Sequence, residues 1–431
     1  MIRLFITKKK IFRKMGILSG VFLFGTTCIL NGLVSANASS QSVLGIAKGG
    51  TNANTVKSAQ KNLGLIDIVS SDSTDSNFPS SKAVYNFINY CIQNNGCTPY
   101  FLLAGSRGKI SKCSTNKDCS ISSSWTTAVQ ISGQSGDWME TAVSSSQFIV
   151  AGANGLISKC EKSSGCSTSS NWTPSSSISN APSIWYGATY GNEQFIVVGT
   201  QNKISRCLDT VDCSQGSNWS APITPPNSVA NGYFYGVKHI SNGNSGTFIA
   251  TGNPGTISSC LDTLNCSLAS NWTPVIQAPG LESSYLHKSS KVNNSIFSVG
   301  GAGKIAHCLL STDCSIASNW LGVSISGQSS YWIEIVTNNT TALASGNGGL
   351  ISTCSIATGC SQSSNWSSAV QAQGMGEIRG STTFKNQFLV SGASGLISIC
   401  KGNNGCSKTT DWTQAVQTPG QTYMWYNIVH T

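Results

Sequence analysis

The sequence predicts an all-β fold, a seven-bladed β-propeller of four-stranded blades, on three observations. A unit of 46 to 53 residues recurs along most of the chain. Each unit divides into four short strand-like runs, and the two ends of the array carry complementary pieces of one unit. From Tyr100 onward the unit reads F-[IL]-V-x-G-x-x-G-x-I-S-x-C-x5-C-S-x-x-S-N-W. Its closing tryptophans, Trp125, Trp172, Trp219, Trp272, Trp320, Trp366 and Trp412, each stand 12 residues after the first cysteine of the unit.

The third unit shows how the strands are read. An aromatic run, Trp185-Tyr186-Gly187-Ala188-Thr189-Tyr190, is strand one, and the β-branched run Gln194-Phe195-Ile196-Val197-Val198 is strand two. A glycine-rich turn leads to strand three at Lys203-Ile204-Ser205-Arg206-Cys207, and strand four is expected to begin at Asn218-Trp219. Short β-rich runs between Gly/Asn turns, without a helical period, are the mark of all-β repeats, and four strands in about 47 residues is the size of a propeller blade. The array opens at Tyr100 with strand two and closes with an extra strand one, Met424-Trp425-Tyr426-Asn427-Ile428-Val429. A first blade completed by the C-terminal strand closes the ring and removes the exposed sheet edge.

Sixteen of the 17 cysteines fall into eight C-x5-C pairs. They are Cys91 with Cys97, Cys113 with Cys119, Cys160 with Cys166, Cys207 with Cys213, Cys260 with Cys266, Cys308 with Cys314, Cys354 with Cys360, and Cys400 with Cys406. The even count and fixed spacing argue for eight local disulfides. A metal site is disfavoured, because structural zinc prefers closer ligands and the four histidines occupy no repeated slot. Closing so short a loop stabilises each hairpin by about 2 kcal/mol in a chain-entropy treatment.

Residues 1–38 read as a secretory signal peptide, with an uncleaved membrane anchor as the alternative, because the apolar stretch from Met15 to Val34 is just long enough to span. Arg3, Lys8, Lys9, Lys10, Arg13 and Lys14 form a basic start, an apolar run follows from Ile17 to Leu30, and Ala36-Asn37-Ala38 offers a small-residue cleavage site. Of the +10 formal charge, six positive charges lie in that leader, so the remainder carries +4 with no basic stripe for nucleic acid. Once the leader is cleaved, no membrane contact is expected. Residues 39–98 read as a linker with one short helix at 81–92, with Val84, Phe87, Ile88 and Cys91 on one face. Residues 99–431 form the propeller.

From Tyr100 to the C-terminus the pattern resembles the bacterial sialidase-like Asp-box (BNR) propellers, in which strand three ends in I-x-x-S and strand four starts with Trp. Ile110, Ile157, Ile204, Ile257, Ile305, Ile351 and Ile397 match the isoleucine. The family's serine slot is cysteine here, and a longer stapled loop replaces the Asp-box. In the linker, Gly49-Gly50-Thr51-Asn52-Ala53 with Asn62-Leu63-Gly64-Leu65, and Pro79-Ser80-Ser81-Lys82-Ala83-Val84-Tyr85, resemble repeats of phage tail-fibre proteins. That resemblance implies a stalk that presents a binding head and self-association through 39–98.

The sialidase chemistry does not carry over. The propeller has only Arg107, Arg206 and Arg379, read as not sharing a rim, and no F-R-I-P motif. Glu140 and Glu334 occupy one repeat slot on innermost strands, in blades two and six. They face each other across most of the ring, which argues against a close glycosidase pair, and they read as solvated channel carboxylates able to hold water or a cation. Trp138, Trp185, Trp332 and Trp425 share the start of strand one, and repeated aromatics at such a slot usually pack between blades. Trp138 with Tyr233, Tyr285, Tyr331 and Tyr423 forms the expected contact surface, on the face that carries the loops of variable length (132–137 against 222–232). The N-W-[ST] sequons at Asn171, Asn218, Asn271 and Asn365 read as turn residues.

These features point to a secreted or surface-displayed, non-catalytic binding propeller for a glycan or a protein ligand. No cofactor and no metal are expected. The alternatives are a glycoside hydrolase or lyase with an unrecognised site, and a structural tail-fibre-like appendage.

Overall fold

The computed structural model describes residues 99–242, 245–282, 284–401 and 405–431. The leader and the linker with its helix lie outside the described residues, and so does the expected pair of Cys91 and Cys97. The described chain holds 27 strands, numbered in order, and no α-helix. They form seven antiparallel sheets. The innermost strands of successive blades pack in an unbroken cycle, so the ring is closed.

Closure is made by the C-terminus. In blade 1 the strand order is β27 (Trp425–His430), β1 (Tyr100–Gly105), β2 (Lys109–Ser114) and β3 (Val129–Gln130). Phe101 pairs with His430 and Leu103 with Ile428, and Thr431 N–H donates to the Tyr100 carbonyl at 3.1 Å. Each hydrophobic cluster is shared by neighbouring blades: Leu102 and Ala104 of blade 1 pack with Trp138, Phe148 and Val150 of blade 2.

Among the described residues every C-x5-C pair is disulfide-bonded between sequence neighbours. Cys113 is bonded to Cys119, Cys160 to Cys166, Cys207 to Cys213 and Cys260 to Cys266. Cys308 is bonded to Cys314, Cys354 to Cys360 and Cys400 to Cys406. Each blade thus carries one staple, none joins two blades, and such a set belongs to an oxidising compartment.

Two sets of indoles hold the ring. The outer tryptophan of every blade donates its Nε1–H to the carbonyl of the second cysteine, at 2.8 to 3.2 Å. The inner ones stitch blade to blade: Trp138, Trp185 and Trp332 donate to the turn carbonyls of Gly108, Gly155 and Gly303 of the preceding blade, each at 3.1 Å.

The repeated glycine that ends strand two has a steric cause. A Cβ on Gly152 would stand 2.0 Å from the Asp137 carbonyl, and one on Gly199 would stand 2.1 Å from that of Ile184. This close approach accompanies a β-bulge one residue into strand one, found in all seven blades. A bulge leaves one residue unpaired and re-aims its side chain. Its consequence for the site is large.

Strand four departs from expectation. In six blades the Trp makes only a single bridge or turn, and regular pairing resumes several residues later as a two-residue strand or, in blade 3, as the lone bridge Ile204–Ile223. The cause is a hydroxyl clasp between the serine of I-S-x-C and the Ser or Thr after Trp. In blade 7, Ser398 Oγ–H donates to the Thr413 carbonyl at 2.7 Å, and Ile399 N–H donates to Thr413 Oγ1 at 3.0 Å. The side chain thus takes the N–H that a strand-four carbonyl would accept, and the ladder is interrupted. The same clasp joins Ser111 to Thr126, Ser158 to Thr173, Ser205 to Ser220, Ser258 to Thr273 and Ser352 to Ser367. Blade 5 has Ala306 and Leu321 at these slots, so its main chains pair directly. There β18 (Trp320–Ser324) runs five residues along β17 (Lys304–Leu309). Thr413→Val removes the hydroxyl at nearly constant shape and leaves Ile399 N–H without its acceptor. It is expected to cost about 1–3 kcal/mol, read as a lower urea midpoint at unchanged slope, whereas Leu321→Val in clasp-free blade 5 should shift the midpoint little.

Candidate binding face at the channel mouth

The loops joining strands two and three, and those leading from strand four into the next strand one, meet on one face: Arg107 N–H, in the turn Ser106–Gly108, donates to Asp137 Oδ1 at 3.0 Å. The stapled hairpins lie at the other end of the strands. On the loop face, aligning the seven bulges puts Trp138, Trp185, Phe234, Leu286, Trp332, Ile378 and Trp425 in one slot, all fully buried between blades. Trp138 is 0% exposed. Its indole is spent on Gly108, so it is removed from the contact surface that the sequence suggested.

The next residue, unpaired at the bulge, is Met139, Tyr186, Tyr235, His287, Ile333, Arg379 or Tyr426. Together with the residues that precede the buried slot, these build the mouth of the channel. Tyr186 meets Tyr235 at 5.1 Å between ring centroids, and Tyr235 meets Tyr285 at 5.7 Å and His287 at 5.0 Å. Tyr285 continues to Tyr331 at 5.5 Å, and Tyr233 closes on both Tyr186 and Tyr235. Six rings from blades 3 to 6 therefore form one arc, with Tyr331 39% exposed at its end. Tyr423 lies apart from this arc in blade 1, 44% exposed, with the Arg107 guanidinium 3.7 Å above its ring.

Strict alternation along strand one would aim Tyr186, Tyr235 and His287 between blades, and only the bulge turns them to the mouth, so sequence reasoning missed them. Arg379 belongs with them. It pairs with Glu377 at 2.6 Å, and its charge is felt by Tyr186, His287 and Tyr426 around the mouth. Arg107 and Arg379 thus share the loop face, while Arg206 lies apart on strand three beside Gln194, so the three arginines form no single cluster. Burial, with Arg379 adding to it, lowers the His287 imidazole to about 3, so the ring is neutral at physiological pH. Burial, with its neighbouring tyrosines adding to it, raises the Tyr235 phenol to about 12.

Below the mouth, Glu140 and Glu334 are buried and both lie around Lys288, a correction to the reading of two solvated carboxylates set apart across the ring. Glu140 of blade 2 is ion-paired with Lys288 of blade 5 and accepts a hydrogen bond from Asn427 Nδ2 of blade 1. Burial pushes the Glu334 carboxyl above the usual range against the pull of Lys288 and Lys238, and burial lowers the Lys288 ammonium. Lys238 also acts on Glu334, and burial lowers its ammonium. Among the buried polar atoms here, Thr141 Oγ1, Glu334 Oε1, Asn427 Oδ1 and Arg379 Nε have no hydrogen-bond partner within the protein. Among the described residues no cluster of His, Cys, Asp and Glu is arranged to hold a metal ion.

The sequon asparagines serve the stapled turns. Asn218, Asn271 and Asn365 donate from Nδ2 to tip carbonyls at 2.8 to 3.0 Å, and Asn171 Oδ1 accepts from Thr168 N–H.

No family model matches the chain, and no curated protein matches it. The chain is similar to solved structures at low identity. The WD40 β-propeller domain of Doa1 is 12% identical with a TM-score of 0.46, over 68% of this chain and 85% of that one. U3-55K is 11% identical with a TM-score of 0.48, over 67% and 84%. The computationally designed Ika8 protein is 10% identical with a TM-score of 0.46, over 74% and 85%.

Proposed function

We propose that this chain is an exported, non-catalytic binding propeller whose channel mouth recognises a glycan. The observation that carries the reading is the continuous arc of Tyr186, Tyr233, Tyr235, Tyr285, His287 and Tyr331 on the face where loop length varies. Tyrosine offers a large, stiff face for the C–H surface of a sugar and a hydroxyl for its polar groups, at small entropic cost on binding. The rings brace one another, so the surface is organised before the ligand arrives. Hydrolysis is disfavoured, because Glu140 and Glu334 both lie around the Lys288 ammonium, which neutralises Glu140 in an ion pair and leaves it no free carboxylate to act as base or nucleophile. The I-S-x-C frame keeps the likeness to Asp-box propellers at the level of blade construction, and the stalk role of 39–98 belongs to the same reading.

A glycan-array screen of the purified protein tests it. Tyr235→Ala and Tyr331→Ala should each weaken binding of the glycans retained by about tenfold or more, the loss of a ring at the centre of a contact surface, with unchanged melting. An array without signal, alongside a protein partner whose binding the same substitutions abolish, would replace the glycan by a protein ligand at the same face. Binding that survives both substitutions would move the site elsewhere.

A further inference from the structure

Each blade ends in an outer edge, and the clasp keeps these edges short. Among the described residues the outer strands are two residues long in blades 1, 2, 4, 6 and 7, and blade 3 has a lone bridge. The exception is β18, with five residues, Trp-Leu-Gly-Val-Ser, in unbroken register on β17. An exposed edge of this length is normally blunted by a charge, a proline or a bulge. β18 has none of these, and Leu321 on it is 59% exposed.

We propose that β18 is a self-association edge: it pairs antiparallel with β18 of a second copy about a two-fold axis at Gly322, joining the two blade-5 sheets into one of eight strands. Three features favour a second copy over another occupant. The edge is uncharged and therefore tolerates its own image. Gly322 is exposed and carries no side chain, so none of its own atoms obstructs a second backbone at the axis. Residues flanking the two ends of β18, though not on it, carry opposite charge. Lys304 lies across from Ser324 at one end, and Asp313 lies in the hairpin at the Trp320 end. Antiparallel pairing brings the Lys304 end of one copy to the Asp313 end of the other, while parallel pairing would set like charges together. Asp313 is kept ionised by hydrogen bonds from the Ser315 hydroxyl and N–H. The contact is isologous, so it closes as a dimer and does not grow into fibres. It lies on the outer edge of blade 5 and is independent of the ligand reading at the channel mouth.

Light scattering over a concentration series, with a cross-linking variant, tests the edge. The parent protein should reach twice the single-chain mass. Leu321→Lys should raise the dimer dissociation constant by about tenfold or more, and Leu268→Lys, at an exposed leucine on the blade-4 tip, should leave it unchanged. Opposed residues on antiparallel strands have Cα atoms about 4.5–5.5 Å apart, within the disulfide range of about 4.4–6.8 Å. Gly322→Cys should therefore give a covalent dimer on oxidation. A parent that stays monomeric with no Gly322→Cys cross-link overturns the proposal and leaves the edge to a foreign strand. A dimer indifferent to Leu321→Lys overturns it too, and places the contact elsewhere, residues 39–98 included.

Discussion

Deleting residues 421–431 should abolish the ring as a stable structure. The deletion removes β27, the innermost strand of blade 1, which pairs with β1 and packs against the inner strands on both sides. Trp425 is completely buried, with its indole N–H on Thr418 Oγ1 at 2.8 Å, and Ile428 is buried beside it. Truncating Trp425 alone to Ala should cost about 3–5 kcal/mol. Removing the whole strand adds the ladder to β1 and leaves β1 as an open hydrophobic edge, which together exceed the usual margin of about 5–15 kcal/mol. The expected result is aggregation on gel filtration and loss of the cooperative melt, with Trp425→Ala intermediate. A truncated protein that stays monomeric and melts as the parent does would refute closure by the C-terminal strand.

The second large effect lies in the channel. Lys288→Met removes the ammonium that faces Glu140 and acts on Glu334, leaving two mostly buried carboxylates without their main counter-charge. Breaking one side of a buried ion pair costs about 3–5 kcal/mol, so the variant should be strongly destabilised at pH 8. Glu140→Gln in the Lys288→Met background should recover part of that loss, since a neutral amide needs no counter-charge. The pH dependence has a definite sign. Buried carboxylates without a cation have folded-state pKa values above their unfolded values, so the folded form holds protons that the unfolded form has released. The variant's deficit is therefore full above the folded pKa and shrinks as pH falls toward the unfolded carboxylate value. Urea midpoints of parent, single and double variants at pH 8 and pH 5 report this directly. A Lys288→Met midpoint equal to that of the parent at pH 8 would show that the ion pair contributes nothing to stability.

Blade number, the order of strands one to three, the seven described disulfides and C-terminal closure are all legible in the residues. Each depends on a local rule repeated seven times, and repetition exposes the rule even at low identity. The clasp leaves a trace that the strand reading did not use: the Ser of I-S-x-C and the Ser or Thr after Trp change together to Ala306 and Leu321 in blade 5. The pattern alone starts strand four too early, since a tryptophan after a turn reads as an opening strand residue. The hydroxyl that intercepts the Ile399 N–H shows why the ladder cannot begin there.

The mouth is only half legible. Tyr233, Tyr285, Tyr331 and Tyr423 precede the buried slot and follow from the loop argument, whereas Tyr186, Tyr235, His287 and Arg379 sit at the bulge. A period of two along a strand assigns each side chain to a face, but one unpaired residue reverses that assignment for everything beyond it. The glycines that permit the close approach are visible in the sequence, yet the backbone carbonyl they accommodate belongs to another strand. The pairing of Lys288 with Glu140 is of the same kind. Those residues are 148 positions apart on blades 2 and 5, and no spacing rule connects them. Local chemistry along the chain specified the blades and their staples, and closing seven of them around one axis determined which side chains meet in the channel.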